Sequence, residues 1–188
     1  MFIQTEATPN PATLKFLPGQ TVLGQGAMEF RSPEAAANAP LAQALLAIDG
    51  VEAVMYGGDF VSVTKNDAEW AHLKPAILGT IMEHFASGAP LLAEGAASVT
   101  DHGGEFYDPA DAELVGTIKE LIETRVRPAV AGDGGDIVFR GFREGVVYLG
   151  MKGACSGCPS STATLRNGIE NLLRHFVPQV KSVEQAQL

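Results

Sequence analysis

Apolar positions along the chain change period several times, and each change marks an element. Phe60-Val61-Ser62-Val63-Thr64-Lys65 alternates apolar with polar, as a half-buried strand does. Trp70, Leu73, Ile77, Ile81 and Phe85 then recur every three or four residues, the stripe of a long amphipathic helix. Upstream, Phe2 to Glu6 and Thr13 to Leu17 read as short strands. The prolines of the turn Ala7-Thr8-Pro9-Asn10-Pro11 keep it from continuing either one. Residues 19 to 33 show little periodicity and read as loop or irregular strand. Ser32-Pro33-Glu34 suits the start of a short helix, with Ser as N-cap and Pro at the first helical position. Leu41, Leu45, Leu46 and Ile48 form another short helical stripe, ended by Asp49-Gly50. Val51 to Tyr56 is a strand expected to pair with 60–65 as a hairpin across Gly57-Gly58-Asp59. Asn66 or Asp67 is placed to cap the long helix, Pro75 to kink or delay it, and Ser87-Gly88-Ala89-Pro90 to end it.

A second set of elements follows. Leu114, Val115, Ile118, Leu121 and Ile122 mark an amphipathic helix, which Pro128 is expected to end. Ala131 to Asp136 reads as a turn, Ile137 to Phe142 and Val146 to Met151 as strands, and Arg143-Glu144-Gly145 as their tight connection. A last helix, Thr162 to Val177, would bury Leu165, Ile169, Leu172, Leu173 and Phe176, with Pro178 stopping it and Val180 to Val183 adding a third strand. The expected fold class is α+β: two small α/β sandwich-like domains, residues 1–92 and 109–188, joined by a flexible acidic linker at 93–108. That linker is rich in Ala, Gly and Ser and carries Glu94, Asp101, Glu105 and Asp108 without any Lys or Arg.

Composition narrows the function classes. A chain with 46% hydrophobic and 19% charged residues folds instead of staying disordered. A net charge of −9 argues against nucleic acid as a partner, because phosphate binding wants a cationic face. No apolar run approaches the roughly 18 residues that span a bilayer, so no membrane partner is expected. The start, Met1-Phe2-Ile3-Gln4-Thr5-Glu6, has no signal-peptide or transit character, which makes a reducing cytoplasm the expected compartment.

The chemistry concentrates in Gly153-Ala154-Cys155-Ser156-Gly157-Cys158-Pro159-Ser160-Ser161, which holds the only two cysteines of the 188 residues. Between a strand and a helix that Pro159 suits to begin, the C-x-x-C pair has three readings. It can be a pair of buried structural thiols, although its small neighbours offer little apolar bulk to pack against. It can be a redox dithiol, since a helix N-terminus lowers a thiol pKa. It can be part of a metal site, where two thiolates fall short of the four that zinc or an iron–sulfur cluster takes. His72, His84, His102 and His175 do not complete such a site, and the simplest route to four thiolates is two chains contributing Cys155 and Cys158 each. Lys152 and Arg166 are candidates to stabilise thiolates or an anionic cluster. The run Gly132 to Asp136 is no phosphate loop, because no Lys-Ser/Thr follows and it leads into a strand. No nucleophile–His–acid set lies within one domain, so the chain is not expected to be an enzyme.

Gly132-Asp133-Gly134-Gly135-Asp136, Val146-Val147-Tyr148-Leu149 and the cysteine turn together resemble the C-terminal domain of NifU, the NFU domain. Thr5 to Pro11, Leu14-Lys15-Phe16, Asp59 to Lys65 and Trp70 to Pro75 resemble the N-terminal domain of NFU scaffold proteins. The resemblance implies an iron–sulfur cluster carrier that binds a [4Fe-4S] cluster between two subunits, with [2Fe-2S] also conceivable, and hands it to apo-proteins. It implies Cys155 and Cys158 as the cluster ligands, and as partners a second copy, apo iron–sulfur target proteins and upstream assembly factors. Mitochondrial members carry a presequence, so the bacterial cytoplasm is expected, or the mitochondrial matrix if numbering follows presequence removal. An oxidoreductase using the dithiol and a zinc-binding interaction module are the alternatives.

Overall fold

A computed structural model describes residues 1–94 and 104–186. In it the chain is α+β and divides into two units, Met1–Thr100 and Asp101–Leu188, each with its own hydrophobic core.

The N-terminal unit builds five antiparallel strands: β1 (Gln4–Ala7), β2 (Thr13–Leu17), β3 (Met28–Phe30), β4 (Val51–Tyr56) and β5 (Val61–Lys65), in the order β1-β2-β5-β4-β3. Alternation places Phe16, Val54, Tyr56, Val61 and Val63 in one core with Leu41, Ala42 and Leu45 of α1 (Pro40–Leu46) and Leu73, Ile77 and Ile81 of α2 (Trp70–Ser87). Tyr56 anchors that contact, its buried hydroxyl oxygen accepting the Ala42 N–H at 2.7 Å.

Several local expectations change. Within 19–33, read as loop or irregular strand, the strand is confined to 28–30, Met28 opposite Tyr56 and Phe30 opposite Val54, too short to show a period of its own. Ser32-Pro33-Glu34 begins turns and no helix: Ser32 Oγ does accept the Ala35 N–H at 3.2 Å, but Pro40 holds Ala39 at φ −130°, ψ 82°. The helix starts at Pro40 instead. Asn66 spends its side-chain oxygen on the Ala68 N–H at 3.0 Å, so Glu69 occupies the N-cap position of α2. That helix runs unbroken through Pro75, since Pro75 and the residue whose carbonyl it frees, Ala71, both face solvent. Gly88, at φ 69°, ends it in the left-handed conformation that glycine takes freely.

In the C-terminal unit a turn of 3₁₀ helix (Pro109–Asp111) leads into α3 (Ala112–Leu121), a π-helical turn (Ile122–Val126) and α4 (Arg127–Gly132). Pro128 therefore does not end the helix. It sits in the first turn of α4, directly after the π turn, whose last bond runs from the Arg127 N–H to the Ile122 carbonyl, and a first-turn position is one where proline's missing N–H is tolerated. Strands β6 (Gly135–Arg143) and β7 (Val146–Gly153) pair antiparallel, with Asp136 opposite Lys152 and Gly135 opposite Gly153. Glu144 and Gly145, at φ 52° and 87°, form the two-residue turn between them. After α5 (Pro159–Phe176), β8 (Ser182–Gln185) joins the other side of β7 in parallel, giving the order β6-β7-β8. Val115, Ile118, Ile122, Ile137, Leu149, Ile169 and Leu173 make the shared core. Phe176, expected on the buried face of α5, is 46% exposed and lies under the Arg125 guanidinium at 5.0 Å.

The expected linker is not uniform. Residues 95–103 fall outside the described residues, but Phe106 bridges to Gly141 of β6, and Glu105 pairs with Lys119 at 2.9 Å.

Candidate functional site

Gly153 ends β7 at φ 60° and starts the turn that carries both cysteines. The Ala154 N–H donates to the Gly134 carbonyl at 3.2 Å, and the Cys155 and Ser156 N–H groups donate back to Lys152 and Gly153 at 3.3 and 3.1 Å. Gly157, at φ 82°, turns the chain outward, and Cys158 takes the N-cap position of α5, with Pro159 in the first turn. Thr162 ties the helix back to this turn: its hydroxyl donates to the Cys155 carbonyl at 3.0 Å and its N–H to the Cys158 carbonyl at 2.9 Å. The Ser161 hydroxyl adds a bond to the Cys158 carbonyl at 3.3 Å.

The turn thus brings together the two cysteines singled out by sequence, both as free thiols, in unlike environments. Cys155 is 5% exposed and belongs to the core beneath the sheet. Burial pushes its thiol up to about 12, and the neighbouring charges of Asp133 and Asp136 push the same way. Cys158 stands at the surface, and its thiol falls to about 7. Hydrogen bonds from the Ser160 hydroxyl, 3.5 Å away, and then from the Ser161 hydroxyl and the first N–H groups of α5 stabilise its thiolate. Beside it lies an open depression of about 290 Å³, lined by Gly157, Pro159, Thr162, Ala163, Arg166 and Gln185.

Among the other candidates, Arg166 lines that same depression. Arg166 pairs with Glu184 of β8 at 3.3 Å, and Lys152 is buried within β7. His72 is exposed and His84 buried on α2, in the other unit, while His175 packs edge-on against Phe176 far along α5. His102 lies outside the described residues. Among the described residues, no group of three or more His, Cys, Asp or Glu side chains is arranged to hold a metal ion. None of the described helices is long and apolar enough to cross a membrane.

Residues that composition made look like plain turn formers turn out to build the wall of the site. A Cβ on Gly135 would collide with Cys155 Sγ and come within 3.0 Å of the Cys155 nitrogen and the Lys152 oxygen. Asp136, next in the chain, is 4% exposed and is gripped by Arg127, Nε to Oδ1 at 2.8 Å and Nη2 to Oδ2 at 2.9 Å. The signal available in sequence was the second glycine of Gly134-Gly135, where one suffices for a turn. Only Gly134 takes a positive φ, 77°.

Comparison with known proteins covers both units. Residues 3–88 match the family model described as scaffold protein Nfu/NifU N terminal, and residues 118–184 match the NifU-like domain. The human NFU1 iron-sulfur cluster scaffold homolog, mitochondrial, is 50% identical over 187 residues, which are 98% of this chain and 72% of that protein. NifU-like protein 5, mitochondrial, of Arabidopsis thaliana is 50% identical over 188 residues, 98% of this chain and 68% of that one. The solution structure of a NifU-like protein from Saccharomyces cerevisiae aligns with a TM-score of 0.45 at 27% identity, over 50% of this chain and 86% of that one. With both of its domains matched in order and half of its residues shared with such relatives over nearly its whole length, the chain belongs to the Nfu/NifU family of iron–sulfur cluster scaffold proteins.

Proposed function

We propose that this chain carries a [4Fe-4S] cluster as cargo, held by Cys155 and Cys158 of two subunits, and passes it to apo-proteins. The observation that carries this reading is the pair of free thiols on one short turn at the start of α5. The donor set fits the cargo in kind: thiolates are what such clusters take, and Cys158 is half ionised near neutral pH. Cys155 gives up its proton on binding iron, so loading releases protons. A cluster wanting four thiolates and offered two by each chain draws in a second chain. The same arithmetic favours release, since an acceptor with its own cysteines displaces two ligands per subunit.

In this reading the cluster domain is 109–188, the linker 93–108 and the partner-recognition domain 1–92. The last would select acceptor apo-proteins and upstream assembly factors. Free thiols at this site persist in a reducing compartment, the bacterial cytoplasm or the mitochondrial matrix.

Anaerobic reconstitution of the full chain with ferrous iron and sulfide tests the proposal. The expected product is brown, holds about four iron and four sulfide per dimer, and loses its colour on adding a cluster-free acceptor protein as the acceptor gains it. Cys155→Ala and Cys158→Ala should both abolish the colour. Two irons and two sulfides per dimer would replace [4Fe-4S] with [2Fe-2S]. A colourless product that cycles between dithiol and disulfide would replace the carrier with an oxidoreductase, a reading that the lowered thiol of Cys158 would serve equally.

A further inference from the structure

Arg127 and Asp136 lie outside the cysteine turn and touch neither sulfur in the hydrogen-bond pattern, yet they fix the wall against which Cys155 rests. The two carboxylate oxygens of Asp136 accept from two nitrogens of Arg127 in a side-on pair. A further bond from Arg127 Nη1 to Glu123, at 2.8 Å, holds the guanidinium from the helix side. Glu123 belongs to the π-helical turn and Arg127 opens α4, so the irregular part of this helix is the part that grips β6.

On the strand side, Asp136 follows Gly135, the residue whose missing Cβ leaves room for Cys155 Sγ. Gly134 accepts the Ala154 N–H, and Gly135 and Asp136 stand opposite Gly153 and Lys152. The short run 134–136 is therefore tied to the cysteine turn along its backbone and to the helix through one carboxylate.

We propose that the Arg127–Asp136 pair is the positioning device of the cysteine site. It holds the first residues of β6 at the depth that shelters Cys155, and so governs how readily that sulfur comes out to meet a cluster and how long the cluster is kept. The sheltering step stands on the geometry of this chain alone. Only the step to cluster retention rests on the carrier reading above.

The two steps are separable by experiment. In the full-length apo-protein carrying Cys158→Ser, Cys155 is the only thiol, and its labelling by iodoacetamide is followed by mass spectrometry. Arg127→Gln and Asp136→Asn should each raise the labelling rate about tenfold or more, because a buried thiol reacts through local opening. Arg127→Lys, which keeps a charge but loses the side-on geometry, should recover part of the protection. Val183→Ala, a core change on β8 away from the pair, serves as the control, compared at equal distance below its own melting temperature. It should leave Cys155 labelling near the parent rate. Should Arg127→Gln fail to fold by circular dichroism, Asp136→Asn and Arg127→Lys carry the comparison.

Labelling no faster in the pair variants than in Val183→Ala, or no recovery in Arg127→Lys, overturns the proposal. Cluster retention is then read in the chain with both cysteines present, as the half-life of visible absorption under chelator. Arg127→Gln should shorten it several-fold, and an unchanged half-life overturns the retention step. If labelling responds as expected while even the unaltered chain takes up no cluster, the sheltering role stands and the carrier reading falls.

Discussion

The unlike environments of the two thiols make a quantitative prediction. At pH 7 a thiol of pKa about 7 is half thiolate, whereas one of pKa about 12 is thiolate in roughly one molecule in 10⁵. The ratio of reactive anions is then about 5 × 10⁴ in favour of Cys158. A less basic thiolate is also a weaker nucleophile, with a slope of about 0.4–0.5 per pKa unit, which over five units returns a factor of about 200 to Cys155. The net preference is about 250-fold for Cys158 before burial is counted, and burial of Cys155 only increases it. Limited iodoacetamide treatment of the apo-protein, followed by peptide mass spectrometry across pH 5 to 10, measures this directly. Cys158 labelling should rise through a midpoint near 7 and level off by about pH 8, because the anion is the attacking form and its pKa is lowered. Ser160→Ala, which removes the leading hydrogen bond to that sulfur, should move the midpoint upward. Comparable labelling of both cysteines at pH 7, or a Cys158 midpoint in the ordinary thiol range, would refute the reasoning.

Two further substitutions probe the framework. Gly135→Ala puts a methyl into the space of Cys155 Sγ and against the Cys155 nitrogen, so it should destabilise the C-terminal unit by about 1–3 kcal/mol; calorimetry showing no loss would contradict the close approach. Tyr56→Phe strands the buried Ala42 N–H, whose partner is the phenolic oxygen at 2.7 Å, and should cost about 1–3 kcal/mol in urea unfolding of the N-terminal unit. A neutral result there would mean that water or another acceptor reaches that N–H.

Much of this fold is legible along the chain wherever one period persists. The stripe Leu73, Ile77, Ile81 has the burial its spacing foretells, whereas the alternation at Val61–Lys65 places Val61 and Val63 in the core but does not leave Ser62 exposed, since Ser62 is buried as well. Misreadings arise where a residue has two uses. Pro128 can stop a helix or sit in the first turn of a new one, and the π turn before it selects the second. Asn66 can cap a helix or turn the chain ahead of it, and its bond to Ala68 makes the turn. Phe176 fits the buried stripe, but α5 reaches the end of the core there and the ring stacks under Arg125 instead.

The cysteine turn is legible because its chemistry is local: two thiols, two flexible glycines and a helix start within a few residues. Its wall is not. Gly135 meets Cys155 only once β6 lies against β7, and Arg127 reaches Asp136 only once the helix has passed through its π turn. Neither contact leaves a periodic trace. A glycine-rich run with two aspartates looks like any turn until the strand it opens is paired.

The central claim is that the two thiols of one chain are half of a site. Anaerobic native mass spectrometry of the reconstituted full-length protein tests it most directly, with an isotope-labelled Cys155→Ala/Cys158→Ala chain mixed in before loading. Two cysteine-bearing chains sharing one [4Fe-4S] cluster, and no cluster on species containing the double variant, is the predicted result. A cluster of the same mass on a single chain, or on the mixed pair at the same yield, would contradict it.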